Sequence, residues 1–239
     1  SVKKGTSLML EVKNLSASYG DVKVFSDLSF EIKKGDYLVI VGENGSGKST
    51  LMKTILGLKK PDKGEVIRNE FTEIGYVPQI NSAQKNFPAL VSDVILSGLI
   101  EKKKLFFTKE DRRKLDEILK LLNIEDLKDK PISNLSGGQE KRVMLARAMI
   151  RGAEILFLDE PTTALDPIAT AEFYDEVDRL NHAGETIVII SHDVRNVINC
   201  ANKVLHLGAN NSGILFFGEK DEYVKSDLFR VLNGVHIHE

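Results

Sequence analysis

The sequence predicts an α/β fold, and three observations carry that prediction. Short, mainly apolar runs at Tyr37-Leu38-Val39-Ile40-Val41, Ile155-Leu156-Phe157-Leu158 and Thr186-Ile187-Val188-Ile189-Ile190 have the length and β-branched content of strands buried on both faces. Stretches of helical period lie between them, from Val91 to about Leu122 and from Ile168 to Leu180. The first run also leads straight into Gly42-Glu43-Asn44-Gly45-Ser46-Gly47-Lys48-Ser49-Thr50, which fits G-x-x-x-x-G-K-[ST], and then into Leu51 to Leu56, which has the composition of a buried helix. Strand, glycine loop, helix is the order in which that motif has physical meaning.

The chain as a whole fits this class. It has 239 residues, 42% hydrophobic and 28% charged, enough to bury a sizeable core in one domain or two. A formal net charge of -2 argues against a nucleic-acid partner held by a bulk basic surface. A single cysteine, Cys200, leaves no internal disulfide or cysteine-cluster metal site and is expected to be a packed core thiol in a reducing compartment. No apolar run approaches the roughly 18 residues that span a bilayer, so any service to a membrane runs through a partner. Ser1 to Ser7 is basic and polar, lacks the apolar core of a signal peptide, and stays outside the fold argument.

Taken in order, Leu8, Leu10 and Val12 alternate, as do Leu28, Phe30 and Ile32, giving two strands around the turn at Tyr19-Gly20-Asp21. Beyond the glycine loop, a turn at Lys59 to Gly64 precedes strands at Glu65-Val66-Ile67 and Ile74-Gly75-Tyr76-Val77, and Pro78-Gln79 ends the pattern. The helical insert follows, with Thr108 and Asp111 as an acidic capping box. Its Glu101-Lys102-Lys103-Lys104 run reads as a solvated loop. Ser136 and Gln139 form a second capping box before the helix at Lys141 to Ile150. The helix from Ile168 to Leu180 presents Ala169, Phe173, Val177 and Leu180 on one face. Strands at Val204 to Leu207 and Ile214 to Phe217 and a final helix from Tyr223 to Leu232 complete the expected core.

The chemistry concentrates at the ends of the buried strands. Gly42, Gly45 and Gly47 let backbone N–H groups turn inward around an anion, the helix N-terminus adds partial positive charge, and Lys48 supplies a full one. Ser49 would place a hydroxyl on Mg²⁺, and Thr50 helps close the loop. Asp159 and Glu160 follow a strand whose C-terminal end faces a ligand crevice. Asp159 suits Mg²⁺, and Glu160, one step on, suits an attacking water as general base or orienting group. Two acids there can also merely cap a turn. Gly137 and Gly138 permit close backbone approach to a second phosphate at a helix start, although Ser136 and Gln139 also serve an ordinary cap. Tyr19, before a glycine in a turn, can stack on a purine or simply pack, and His192 lies at the same sheet edge as Asp159.

These motifs, in this order from Leu8 to about Leu232, resemble those of the nucleotide-binding subunits of ABC (ATP-binding cassette) transporters. Gly42 to Thr50 resembles the Walker A loop, Leu135 to Gln139 (Leu135-Ser136-Gly137-Gly138-Gln139) the signature, and Ile155 to Glu160 the Walker B strand with its glutamate. Tyr19 resembles the A-loop aromatic, Gln79 the Q-loop, Ala164-Leu165-Asp166 the D-loop and His192 the switch histidine. The resemblance implies a RecA-like P-loop core with an antiparallel β subdomain, spanning 8–88 and 153–239, and a helical signature subdomain at 89–152. It implies ATP and Mg²⁺ as cofactors, with Ser49, Gln79 and Asp159 toward the metal and Glu160, His192, Gln79 and Lys48 in catalysis. Tyr19, residues 42–50, Ser136, Gly137, Gly138, Gln139 and Asp166 would hold nucleotide.

The resemblance also implies partners. Two copies would sandwich two ATP molecules, each between one chain's Walker A and the other's signature. Integral membrane permease subunits would dock beside Gln79 on the cytoplasmic face of the membrane, with a substrate-binding protein reached through the permease. Departures are slight: Glu140-Lys141-Arg142 follows the signature where a second Gln is frequent, and Thr163 stands where small residues are common. Non-transport ABC ATPases of translation or repair carry paired cassettes or a long coiled coil, and neither feature occurs here. The segment Gln84 to Gly98 resembles cassettes serving zinc or manganese importers, with siderophore, haem or cobalamin import as the alternative. His236, His238 and Glu239 in the tail form either a weak metal site or a solvated end.

Overall fold

The computed structural model describes residues 7–69, 72–79, 88–100 and 106–232. Contacts divide the chain into two compact units, one built from the chain up to Thr72 and from Asn181 onward, the other from Glu73 to Leu180.

In the first unit, β1 (Leu8–Tyr19) and β2 (Val22–Lys33) form an antiparallel pair around Gly20, and β4 (Lys63–Arg68) joins the other edge of β1. The alternation expected from the apolar residues holds for Leu10 and Val12 but fails at Leu8, which is exposed, while Met9 is buried. A register shift between Leu8 and Leu10 accounts for it. A second irregularity falls at Asn14 and Asp27, both with positive φ, where the Asn14 amide donates to the Asp27 carboxylate at 2.7 Å.

The second sheet of this unit has β3 (Tyr37–Val41) paired in parallel with β7 (Thr186–Ile190) on one side and β8 (Lys203–Leu207) on the other. β9 (Ile214–Glu219) runs antiparallel beside β8. Every residue of β3 and β7 is buried, as apolar runs without alternation require. Helix α1 (Lys48–Ile55) follows β3, and α6 (Val194–Cys200) follows β7. Cys200 is only partly buried at the end of α6, not packed in the core as expected, because the apolar residues that α6 turns inward are Val194, Val197 and Ile198.

The expected final helix is two helices, α7 (Lys220–Lys225) and α8 (Asp227–Leu232). Ser226 between them is extended, at φ −79 and ψ 155. Its hydroxyl donates to the Tyr223 carbonyl at 2.6 Å and accepts from the Phe229 N–H at 3.4 Å, so a serine side chain takes up backbone groups that a continuous helix would have used. Tyr223 itself is fully buried, its hydroxyl 3.0 Å from Nδ1 of buried His206 on β8. Burial pushes the Tyr223 phenol up and the His206 imidazole below its usual range; the negative charge of Glu43 opposes the latter and the positive charge of Lys48 adds to it.

In the second unit, β5 (Ile74–Val77) pairs in parallel with β6 (Ile155–Asp159). Around them lie α2 (Val91–Leu96), α3 (Lys109–Leu121), α4 (Gly137–Met149) and α5 (Pro167–His182). Both capping boxes form: Thr108 with Asp111 on α3, and Ser136 with Gln139 on α4. Leu115, Ile118, Leu119 and Leu122 are buried, each contributing about 1.5–3 kcal/mol of apolar burial to the packing of α3. On α5, Phe173, Val177 and Leu180 are buried and Ala169 half-buried. The Glu101 to Lys104 run, the histidine tail and residues 84–87 lie outside the described residues. Among the described residues, no helix is long and apolar enough to cross a membrane.

Candidate functional site

In the first unit the glycine loop leaves β3 at Gly42, whose φ of 146 is closed to ordinary side chains. A Cβ there would lie 2.4 Å from the Leu207 carbonyl oxygen and 2.7 Å from Ser46 Oγ. Gly47, at φ 93, is the N-cap of α1, and a Cβ on it would meet Val24 at 2.7 Å. Both glycines are therefore dictated by space as well as by backbone angle. The N-cap residue Gly47 supplies no side-chain cap to α1, and a helix N-terminus of this kind suits an anion.

Lys48, first in α1 and 7% exposed, donates from Nζ to the carbonyls of Gly42 at 2.8 Å and Glu43 at 2.9 Å, which fixes the ammonium inside the loop. Ser46 Oγ is buried without a protein hydrogen-bond partner, a costly state that a phosphate oxygen would relieve. Gly42, Glu43, Asn44, His192, Asp193 and Leu232 line a cleft of about 420 Å³. His192 is held there because Ser191 Oγ accepts from the Asp193 N–H at 3.0 Å and Asp193 caps α6 through the Asn196 N–H. Tyr19 is 55% exposed, with Lys59 Nζ 4.4 Å from its ring centroid.

In the second unit Asp159 ends β6 and is buried, while Glu160, half-buried, has a φ of 45. Oε2 of Glu160 accepts from Gln79 Nε2 at 3.4 Å and from Thr163 Oγ1 at 3.3 Å, so Gln79 and Glu160 come together as neighbours. Burial pushes the Tyr76 phenol up, and the charge and hydrogen bond of Asp159 add to this. Asp166 Oδ1 accepts from the Ala169 N–H at 2.9 Å at the start of α5. At the signature, Ser136 and Gln139 are joined in the cap, with Ser136 N–H donating to Gln139 Oε1 at 3.0 Å. A Cβ on Gly137 would meet the Leu165 side-chain tip at 2.9 Å, so the first signature glycine lies close against the loop before α5.

With that geometry in place, comparison with known proteins decides the family. The profile of the ABC transporter family matches residues 25–163. The chain belongs to the ABC transporter family. It is an ABC ATP-binding subunit, and its activity is ATP hydrolysis coupled to transport. It is 36% identical over 227 residues to the zinc uptake system ATP-binding protein ZurA of Listeria innocua, covering 90% of this chain and 87% of that protein. It is 35% identical over 218 residues to the manganese transport system ATP-binding protein MntB of Halalkalibacterium halodurans, covering 88% and 86%. The structure of a nucleotide-free ATP-binding cassette from an ABC transporter superposes with a TM-score of 0.84 at 27% identity, covering 98% of this chain and all of that one.

Within this ABC cassette, two groups near the motifs were invisible to sequence reasoning: Lys59 over Tyr19, and Tyr76 beside Asp159. Lys59 lies forty positions from Tyr19, and Tyr76 reads only as a strand residue. Ser46 was expected at the nucleotide through its place in the loop, and its buried, unpartnered hydroxyl is what the structure adds.

Proposed function

We propose that this subunit powers import of a divalent metal, zinc or manganese, as a homodimer on the cytoplasmic face of the membrane beneath separate permease subunits fed by a substrate-binding protein. The observation that carries the cargo is the pair of relatives named for zinc uptake and manganese transport, each about 35% identical over most of both chains. Residues 89–152 serve as the helical signature subdomain, and 8–88 with 153–239 as the ATP-binding core.

The residues fit the proposed roles. The triphosphate lies on the N–H groups of residues 44–49, with Lys48 countering its charge, Ser46 supplying a hydroxyl and Tyr19 stacking on the base. The donors for Mg²⁺ are all oxygens, the Ser49 hydroxyl, the Gln79 amide and the buried Asp159 carboxylate, which is the set a hard cation takes. When bound, Mg²⁺ neutralises charge on the phosphates. Glu160 takes a proton from, or orients, the attacking water, positioned by Gln79 and Thr163; His192 contacts the terminal phosphate. Ser136, Gly137 and Gly138 close on the partner copy's nucleotide, with Gln139 holding the cap and Asp166 the adjoining loop.

Metal accumulation in cells lacking this subunit tests the cargo. Loss of zinc or manganese uptake under scarcity is expected. Unchanged uptake of both, with loss of an iron chelate or cobalamin, would overturn the metal assignment and leave the ATPase untouched. Chelation by EDTA should abolish hydrolysis, and added Mg²⁺ should restore it.

A further inference from the structure

We propose that Lys59 is a positioning residue for nucleotide: it holds the Tyr19 ring in place, covers one of its faces, and ties the ring to the helix that carries the phosphate loop. This inference rests on the reading of Tyr19 as the base-stacking residue. Lysine side chains in surface turns are ordinarily mobile and hydrated. This one is pinned. Its Nζ donates to the carbonyl of Ser18, the residue before the ring, at 2.7 Å, and stands 4.4 Å from the ring centroid.

The main chain of Lys59 is fixed as well. The N–H groups of Leu58 and Lys59 both donate to the Lys53 carbonyl, at 2.8 and 3.1 Å, so the turn is the direct continuation of α1. Three residues on, the Asp62 N–H donates to the Ser16 carbonyl at 2.8 Å, which fastens the same turn to β1. One end of α1 therefore carries Lys48 and the phosphate loop, and the other end carries the cation that sets Tyr19. The distance between base and phosphates in a nucleotide is limited by its covalent structure. A ring tied to the phosphate loop through one helix is thereby pre-organised for it.

The cation also decides which ring face is used. With Lys59 over one face, a base can stack only on the other face of a ring in a residue that is 55% exposed. A cation over a ring draws π density toward itself, which lowers repulsion between the opposite face and an electron-rich purine.

The test is a double-mutant cycle read by competition against a fluorescent ATP analogue in EDTA, using the full chain. Unlabelled ATP and inorganic tripolyphosphate, which has no base, are the two competitors. Lys59→Met keeps the apolar stem and removes the charge; it should weaken ATP two- to five-fold, the fold-change that about 0.5–1 kcal/mol represents, and leave tripolyphosphate unchanged. Lys59→Arg should behave as the parent. Tyr19→Ala should weaken ATP roughly five-fold or more, and adding Lys59→Met to it should cost nothing further. Weakening of tripolyphosphate by Lys59→Met, or an equal loss in the Tyr19→Ala background, would show a charge acting on phosphate and overturn the proposal. No loss with Lys59→Met, where Tyr19→Ala does lose affinity, would overturn the role of Lys59 alone. ATP binding unchanged by Tyr19→Ala would remove the stacking assignment and this inference with it.

Discussion

Glu160 is the first residue past a fully buried strand, and its backbone stands at φ 45, a region costly for a side chain with a Cβ. That turn throws the carboxylate sideways onto Gln79 and Thr163 instead of letting the strand alternation carry it onward. Glu160→Gln keeps the shape of the side chain but not the proton-accepting charge, so it should lower the hydrolysis rate by at least about 100-fold while ATP affinity stays near that of the parent. Lys48→Ala should instead weaken binding. Steady-state hydrolysis and nucleotide titration separate the two, and turnover by Glu160→Gln near the parent rate would sink its assignment. At this scale the sequence exposed which residues carry charge next to a strand end, because strand length and composition are local. It could not expose the left-handed turn at Glu160, since nothing about a glutamate forecasts a positive φ, nor Lys59 over Tyr19, which depends on tertiary placement.

At the scale of elements, α4 starts with a complete capping box that leaves Ser136 and Gly137 exposed at its N-terminus. The cap stabilises the helix, and the exposed glycine backbone can approach a phosphate presented by a second copy. In the Glu160→Gln background, Mg-ATP should convert monomer to dimer, and Ser136→Arg should abolish that conversion while single-chain ATP binding persists. Thr108→Ala provides the control: it breaks the equivalent box on α3, costing about 0.5–2 kcal/mol, and should leave dimerisation intact. Light scattering with and without Mg-ATP reads all three, and a dimer indifferent to nucleotide would contradict the sandwich. The caps were legible because each needs only a pair of residues three apart. The single helix expected from Tyr223 to Leu232 was not divided in advance, because the hydroxyl of Ser226 competes with the helix only once Tyr223 and Phe229 are in place.

At the scale of the whole molecule, the parallel strands were readable as unalternating apolar runs, since burial on both faces leaves that mark on composition. Which strands adjoin was not readable, because β3 pairs with strands more than 140 positions away along the chain, and pairing at that separation is set by the assembled core. The same long-range assembly joins His206 on β8 to Tyr223 on α7, so the last part of the chain is docked through a buried imidazole beside the strand that feeds the phosphate loop. That contact makes folding an exchange of protons with the solvent. The folded imidazole resists protonation, whereas the unfolded one takes up a proton near pH 6.5. The neutral pair therefore supports the fold fully above about pH 6.5, and its contribution is lost as the pH falls below that value, by at most about 1.4 kcal/mol per pH unit. Urea unfolding at pH 7.5 and 5.5 should show the parent losing more stability than His206→Gln, which can still accept the Tyr223 hydroxyl but does not titrate. Equal losses in the two proteins would exclude it. A cassette built this way holds α7 by a contact that acid loosens, so mild acidification of its surroundings would reach, through the fold, the strand beside the one that feeds the phosphate loop.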